Sequence, residues 1–217
     1  MKLKILNTVF KAIQKEKYVI VKSFNINEYN EGSDIDIFCY SINELKYKII
    51  KSLNNIIGDY KMNIDIKSYK NHCHLDIVFE GNVFIRFDLF DSLPSYKKLI
   101  LRESLFDIIL EKRVLFNNGN LEYYVCEENF NNLIRYIEYI EYFSPENNKI
   151  KHLEYLEKNL KRDNEFYNNI HHYVKFKFEK VGNKRNFSLN DLNELIIKVR
   201  QTKMIDLPKK IFKYLFK

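Results

Sequence analysis

Asp34 and Asp36 are separated by one apolar residue in the tetrad Asp34-Ile35-Asp36-Ile37. Side chains two apart on a strand share a face, so the two carboxylates project together. Such a pair either takes up a proton or shares a divalent cation. A hard cation such as Mg²⁺ prefers oxygen ligands and completes its shell with water and substrate phosphates. Two such ions held by three carboxylates neutralise a phosphate and bring an attacking hydroxyl into line, the requirement of phosphoryl and nucleotidyl transfer. The third carboxylate is sought on a neighbouring strand. Asp88, in Phe84-Ile85-Arg86-Phe87-Asp88-Leu89-Phe90, lies among apolar residues, where an unpaired carboxylate is costly. Asp76 and Asp65 stand in similar settings, but Asp88 comes late in its strand, just before the chain leaves the sheet at 91–94.

The elements that must position these acids follow from periodicity. Leu3, Leu6, Phe10 and Ile13 recur at helical spacing, and the interrupted apolar stretch reads as a core-facing helix, not a signal peptide. Residues 18–23 form a β-branched run and 34–40 a second strand, with a polar, Asn-rich loop between them that closes on Gly32-Ser33. Leu45, Ile49, Leu53 and Ile56 mark a helix over 43–57, with Gly58 as its stop. Extended runs follow at 60–68, 72–80 and 83–90, and Gly81-Asn82 signals a hairpin between the last two. Beyond Pro94 the pattern turns helical, apart from a short strand at 123–126. Helical faces are built on Phe130, Leu133, Ile137 and Ile140, then on Leu153, Leu156 and Leu160. A capping-box-like start at Ser188 opens a last helix over 186–202. The expected organisation is an α/β domain over 1–94, with a mixed sheet and flanking helices, and a helical domain over 95–217.

Composition sets outer bounds. The 217 residues are 46% hydrophobic and 30% charged, which fits a folded chain and excludes disorder. The formal charge of +7 raises the question of nucleic acid, but the lysines are spread along the chain instead of forming a block. Three distant cysteines, Cys39, Cys73 and Cys126, define no disulfide framework or zinc spacing and suit a reducing cytoplasm. No stretch has the uninterrupted apolar length of a membrane span.

The stretch from Val21 to Ile37 resembles the signature of the nucleotidyltransferase superfamily that includes DNA polymerase beta, the aminoglycoside nucleotidyltransferases and the small antitoxin-type bacterial proteins. That signature is apolar-Gly-(Gly/Ser), about a dozen residues, then Asp-apolar-(Asp/Glu)-apolar, with a third acid on a later strand. Here the matches are Val21, Ser23, Asp34, Ile35, Asp36 and Ile37, with Asp88 as third acid, over roughly the first ninety residues. The resemblance implies a minimal mixed sheet flanked by helices, a nucleoside triphosphate such as ATP, and Mg²⁺. Asp34, Asp36 and Asp88 would be metal ligands and catalytic acids, while Ser23 contacts the terminal phosphates beside Lys22, Gly32 and Ser33. Lys22 departs from the pattern, standing where the family has Gly. Gly there permits a tight turn and close backbone approach to phosphate. Lysine either pairs with a phosphate in its place or marks a site that no longer takes the triphosphate in the usual way.

The stretches 132–143 and 148–159 look like the helical region of nucleotidyltransferases associated with bacterial surface-sugar gene clusters, which favours a small-molecule or glycan acceptor. Arg135, Lys149, Lys151 and His152 are its candidate anion contacts, set against the plainer reading of charged residues on exposed helix faces. His72 and His74 would share a strand face as a zinc site requires, but no further ligand pair at suitable spacing accompanies them, so they read as ordinary strand residues. The basic, amphipathic tail 208–217 reads as a helix docking Ile211, Leu215 and Phe216 on the core. Two rivals remain beside the transferase: a silent binding module of antitoxin type, and a nucleic-acid tailing enzyme.

Overall fold

The computed structural model describes residues 1–22, 29–30, 32–117, 119, 121–142, 150–159, 164–180 and 183–186. They fall into two compact units, one of Met1–Pro94 with Phe106–Glu127, the other of Ser95–Leu105 with the residues from Glu128 onward.

In the first unit, helix α1 (Lys2–Ile13) buries Ile5, Leu6, Val9, Phe10 and Ile13. Its apolar stripe is turned slightly from the expected one, since Leu3 is 48% exposed. Strands β1 (Tyr18–Ile20) and β2 (Asp34–Cys39) pair antiparallel. Helix α2 (Ile42–Tyr60) starts at Ser41, whose hydroxyl accepts the Glu44 N–H, as a helix N-cap does. It does not stop at Gly58. The helix continues two residues further and ends at Lys61, in the left-handed conformation at φ 54°. Gly58 is thus an exposed interior helix residue with nothing within 4 Å of a Cβ at its position. Gly58→Ala is therefore expected to stabilise the protein by about 1 kcal/mol, read as a raised denaturation midpoint at unchanged m-value.

Strands β3 (Asn63–Ser68), β4 (His72–Phe79) and β5 (Asn82–Phe90) form an antiparallel meander. The β4–β5 turn is Glu80-Gly81, one residue earlier than the sequence indicates, with φ of 49° and 80°, the positive pair that a two-residue hairpin loop requires. β5 then lies parallel to β2. Farther along, β6 (Leu99–Leu101) and α3 (Ser104–Glu111) precede a hairpin of β7 (Val114–Asn117) and β8 (Glu122–Val125). β8 joins β1 in parallel, giving a mixed sheet in the order β3-β4-β5-β2-β1-β8-β7.

Strand alternation separates the two faces of this sheet. Ile35, Ile37, Cys73, Leu75, Ile77, Ile85, Phe87 and Leu89 point to one side, where they form a continuous core with the apolar faces of α1 and α2. Each fully buried aliphatic chain there contributes about 1.5–3 kcal/mol. Their alternate neighbours Asp34, Asp36, His72, His74, Asp76, Arg86 and Asp88 all belong to the opposite face.

The second unit holds α4 (Glu128–Tyr142), α5 (Ile150–Asn159) and α6 (Asn164–Tyr173), followed by β9 (Val174–Lys180) and β10 (Asn183–Asn186). Phe130, Leu133, Ile137 and Ile140 are buried, as their spacing indicates. The Glu141 carboxylate accepts the backbone N–H groups of Lys97 and Lys98 at 2.7 and 2.8 Å. The region beyond residue 94 carries more strand than its periodicity shows. β7 and β8 extend the first unit's sheet, and β9 pairs with both β6 and β10. Asn186, the expected first residue of the 186–202 helix, ends β10, and the rest of that helix and the basic tail lie outside the described residues. Among the described residues no helix is long and apolar enough to cross a membrane.

Candidate functional site

The polar face of the sheet is built by register. β2 and β5 run parallel with Asp36 opposite Asp88 and Asp34 opposite Arg86. β4 runs antiparallel to β5 with His74 opposite Asp88 and Asp76 opposite Arg86. Three acids nominated from the sequence, Asp34, Asp36 and Asp88, thus share one face on adjacent strands. Asp34 is exposed at the strand entrance, Asp36 is half-buried, and Asp88 is 6% exposed.

Each acid meets a different cation or donor. The Lys22 ammonium lies 2.9 Å from Asp36 Oδ2. Lys22 has φ 60°, so the backbone there adopts the left-handed conformation that suits glycine, although the side chain is lysine. The turn expected of the missing Gly is kept, at a cost of about 1–2 kcal/mol for a residue with a Cβ. Arg86 makes a two-pronged pair with Asp76, Nε to Oδ1 at 2.6 Å and Nη2 to Oδ2 at 2.8 Å, and its other terminal nitrogen lies 3.6 Å from Asp34. That hydrogen-bonded pairing holds Asp76 below the usual carboxylate range, against the effect of its burial. Asp76, the rival third acid, is therefore committed to Arg86, and Asp65 stands opposite it on β3 with an exposed side chain.

Asp88 Oδ1 is 2.5 Å from His74 Nδ1. Burial pushes the Asp88 carboxyl up to about 6, helped by the nearby charges of Asp34 and Asp36 and opposed by His74. Because this is an acid whose folded pKa is raised, its ionisation costs nothing below about pH 4, costs progressively more as pH rises toward 6, and costs a constant amount above. In chelator, Asp88→Asn is thus expected to be about 1–3 kcal/mol more stable than the parent at pH 7.5 and no more stable near pH 4. Urea denaturation at the two pH values checks this.

The loop that enters β2 is fastened to β5. Gly32, at φ 78°, donates its N–H to the Phe84 carbonyl, and the Tyr29 hydroxyl donates to the Ser33 carbonyl while accepting from the Arg86 N–H. Gly32 and Ser33 thereby set where Asp34 begins its strand. Ser23, the nominated phosphate contact, lies outside the described residues.

A second group forms around two residues that strand spacing alone leaves without a third ligand. His72 and His74 gather with Asp88 so that one ligand atom from each lies within 4.8 Å of the others. The missing partner was Asp88, fourteen residues away from His74 in sequence and directly across the strand pair. Arg86 belongs to the same face, and the sequence signal for it is its place two residues before Asp88 in an alternating strand. In the second unit, the Arg135 guanidinium stacks 4.1 Å over the Tyr155 ring, and His152 Nε2 lies 3.2 Å from Glu138 Oε2. Lys149 and the Lys151 side chain lie outside the described residues.

No protein-family model matches the chain, and no curated protein matches it in sequence. Among solved structures it is similar to an antigenic nucleotidyltransferase-like protein from Paracoccidioides brasiliensis, at 9% identity over 96% of this chain and 92% of that one, with a TM-score of 0.43. A likeness of that extent assigns neither family nor activity.

Proposed function

We propose that the first unit is a metal-dependent nucleotidyltransferase that moves a nucleoside monophosphate from a triphosphate to a hydroxyl of a small-molecule or glycan acceptor. The observation that carries this reading is the register of Asp36 with Asp88 on adjacent parallel strands, with Asp34 on the same face. Idle carboxylates gathered on one face, one of them buried, cost stability, and such cost is characteristic of functional positions. The donor set fits Mg²⁺, because all three groups offer hard oxygens. Asp34, Asp36 and Asp88 would hold it. Bound there, magnesium would neutralise the triphosphate and polarise the α-phosphate.

The remaining chemistry falls to the chain. Asp88, the most buried of the three acids, would accept the acceptor's hydroxyl proton. The acceptor oxygen bonds to the α-phosphorus as the bond to the bridging oxygen breaks, and pyrophosphate leaves. Lys22 is placed to exchange Asp36 for a phosphate oxygen, a point charge supplied where the family uses backbone approach.

One observation favours a second reading. Lys22 on Asp36 and Arg86 near Asp34 already neutralise two of the three acids, as a silent nucleotide-binding module would have them. A pyrophosphate-release screen over the four triphosphates with sugars, sugar phosphates and aminoglycosides separates the two. Release that requires both metal and acceptor supports the transferase; calorimetric binding of a triphosphate with no release under any combination supports the silent module.

A further inference from the structure

The structure points to a second kind of metal centre on this face: we propose that His72, His74 and Asp88 bind one divalent transition-metal ion of the zinc or cobalt class. The inference rests on donor chemistry and geometry and does not require that the protein transfer nucleotides.

The two histidines stand at i and i+2 on β4, so strand geometry alone puts both imidazoles on one face, with ring centroids 4.2 Å apart. Register adds the third ligand. Asp88 lies across from His74, and its two oxygens divide between the histidines, Oδ1 at 2.5 Å from His74 Nδ1 and Oδ2 at 3.9 Å from His72 Nε2. One ligand atom from each residue lies within 4.8 Å of the others. Tetrahedral bonds of about 2.0–2.2 Å set the ligands of one ion about 3.3–3.6 Å apart, so the His74–Asp88 contact must open and the group tighten by about an ångström to close on an ion.

The orientation of His72 is the independent observation. Its ring stacks on Phe90 at 4.2 Å and 3° and on Tyr69 at 5.6 Å and 19°, so aromatic packing, not hydrogen bonding, holds it in place. Its Nε2 is buried and has no hydrogen-bond partner. A buried polar atom left unsatisfied costs about 1–3 kcal/mol, and a metal ion between it and Asp88 would satisfy it. The two flanking rings fix the direction of the imidazole.

Two imidazole nitrogens and one carboxylate select a borderline transition ion over Mg²⁺, which demands a shell of hard oxygens. Three protein ligands leave coordination positions open, as in catalytic and not structural zinc sites. Asp36, across from the shared ligand Asp88, is the neighbour on that face.

The test uses tag-free full-length protein, stripped with chelator and titrated with Co²⁺ as an optical probe. The expected result is one equivalent of Co²⁺ per chain with visible ligand-field bands, displaced by Zn²⁺ and retained in millimolar Mg²⁺. His72→Phe keeps the stack between Tyr69 and Phe90 and removes only the nitrogens, and it is expected to weaken Co²⁺ binding at least about tenfold. Asp36→Asn is expected to bind Co²⁺ as the parent does, even where it abolishes nucleotide transfer. Absence of stoichiometric Co²⁺ on the parent protein overturns the proposal, as does a His72→Phe variant that binds it as tightly. Loss of Co²⁺ binding in Asp36→Asn overturns it too, since the ion would then sit among the acids alone.

Discussion

Asp36→Asn is expected to lower metal-dependent turnover by about a hundred- to a thousandfold while leaving the unfolding midpoint close to that of the parent. The activity loss follows from position. Asp36 is the residue on β2 whose register partner is the buried Asp88, and it stands two residues after Asp34 on the same face. Removing one charge that stabilises a transition state in a low-dielectric site typically costs about 3–4 kcal/mol, which sets the size of the effect. Stability is affected little because the lost partner is partly solvated: the Lys22 and Asp36 side chains are 20% and 17% exposed. An amide there keeps the side chain's size and its carbonyl can still accept from the Lys22 ammonium, so the stability change stays within about 1–2 kcal/mol. Kinetics against a thermal melt on the same preparation separates the two effects. A variant that retains full turnover contradicts the assignment of Asp36.

Arg86→Met is expected to show the opposite pattern, a stability loss of about 3–5 kcal/mol at neutral pH. Asp76 is 3% exposed, and both of its oxygens are bonded to the Arg86 guanidinium. Truncating the arginine leaves a buried carboxylate unpaired, the costly half of a buried ion pair. The sign with pH follows from the direction of the shift. In the parent, Arg86 holds Asp76 below the usual carboxylate range, so this pair's contribution is complete above about pH 4 and is lost as pH falls below it. In the variant, the unpaired acid protonates readily, so the deficit is largest near pH 7 and shrinks toward pH 4. Denaturant midpoints at both pH values measure it, and Asp76→Leu added to Arg86→Met is expected to recover much of the loss.

Much of the first ninety residues was legible because their pattern is local. The alternation in Asp34-Ile35-Asp36-Ile37 fixed which face the acids share, and the stripe of Leu45, Ile49, Leu53 and Ile56 fixed the buried side of α2. Gly58 misled because tertiary packing of that stripe outweighs a glycine's penalty of about 1 kcal/mol, so the helix runs on to Tyr60. Beyond Pro94 the short strand expected at 123–126 is β8, but the other strands there were hidden for a different reason. β9 is completed by pairing with β6, over seventy residues earlier, and β7 by pairing with β8. Such short segments carry little periodicity of their own, and their strand character comes from the partners they pair with. The histidine pair stands isolated in sequence for the same cause. Its third ligand is supplied by a register that only the folded hairpin sets.

Lys22 is where sequence and structure sharpen each other. The sequence marks it as a departure from glycine; the structure shows that the glycine-like backbone is kept and that the amine has found Asp36. A lysine held at φ 60° against its preference indicates that the turn itself is required there.

The most direct test of the central claim follows the α-phosphate. Protein, Mg²⁺, an α-phosphate-labelled triphosphate and a pool of sugars and sugar phosphates are incubated together, with Asp34→Asn and Asp36→Asn run in parallel. The expected result is label carried into an acceptor product with an equal amount of pyrophosphate released, by the parent protein and by neither variant. Triphosphate that binds but stays intact with every acceptor, or label transfer undiminished in both variants, contradicts a carboxylate-centred nucleotidyltransferase.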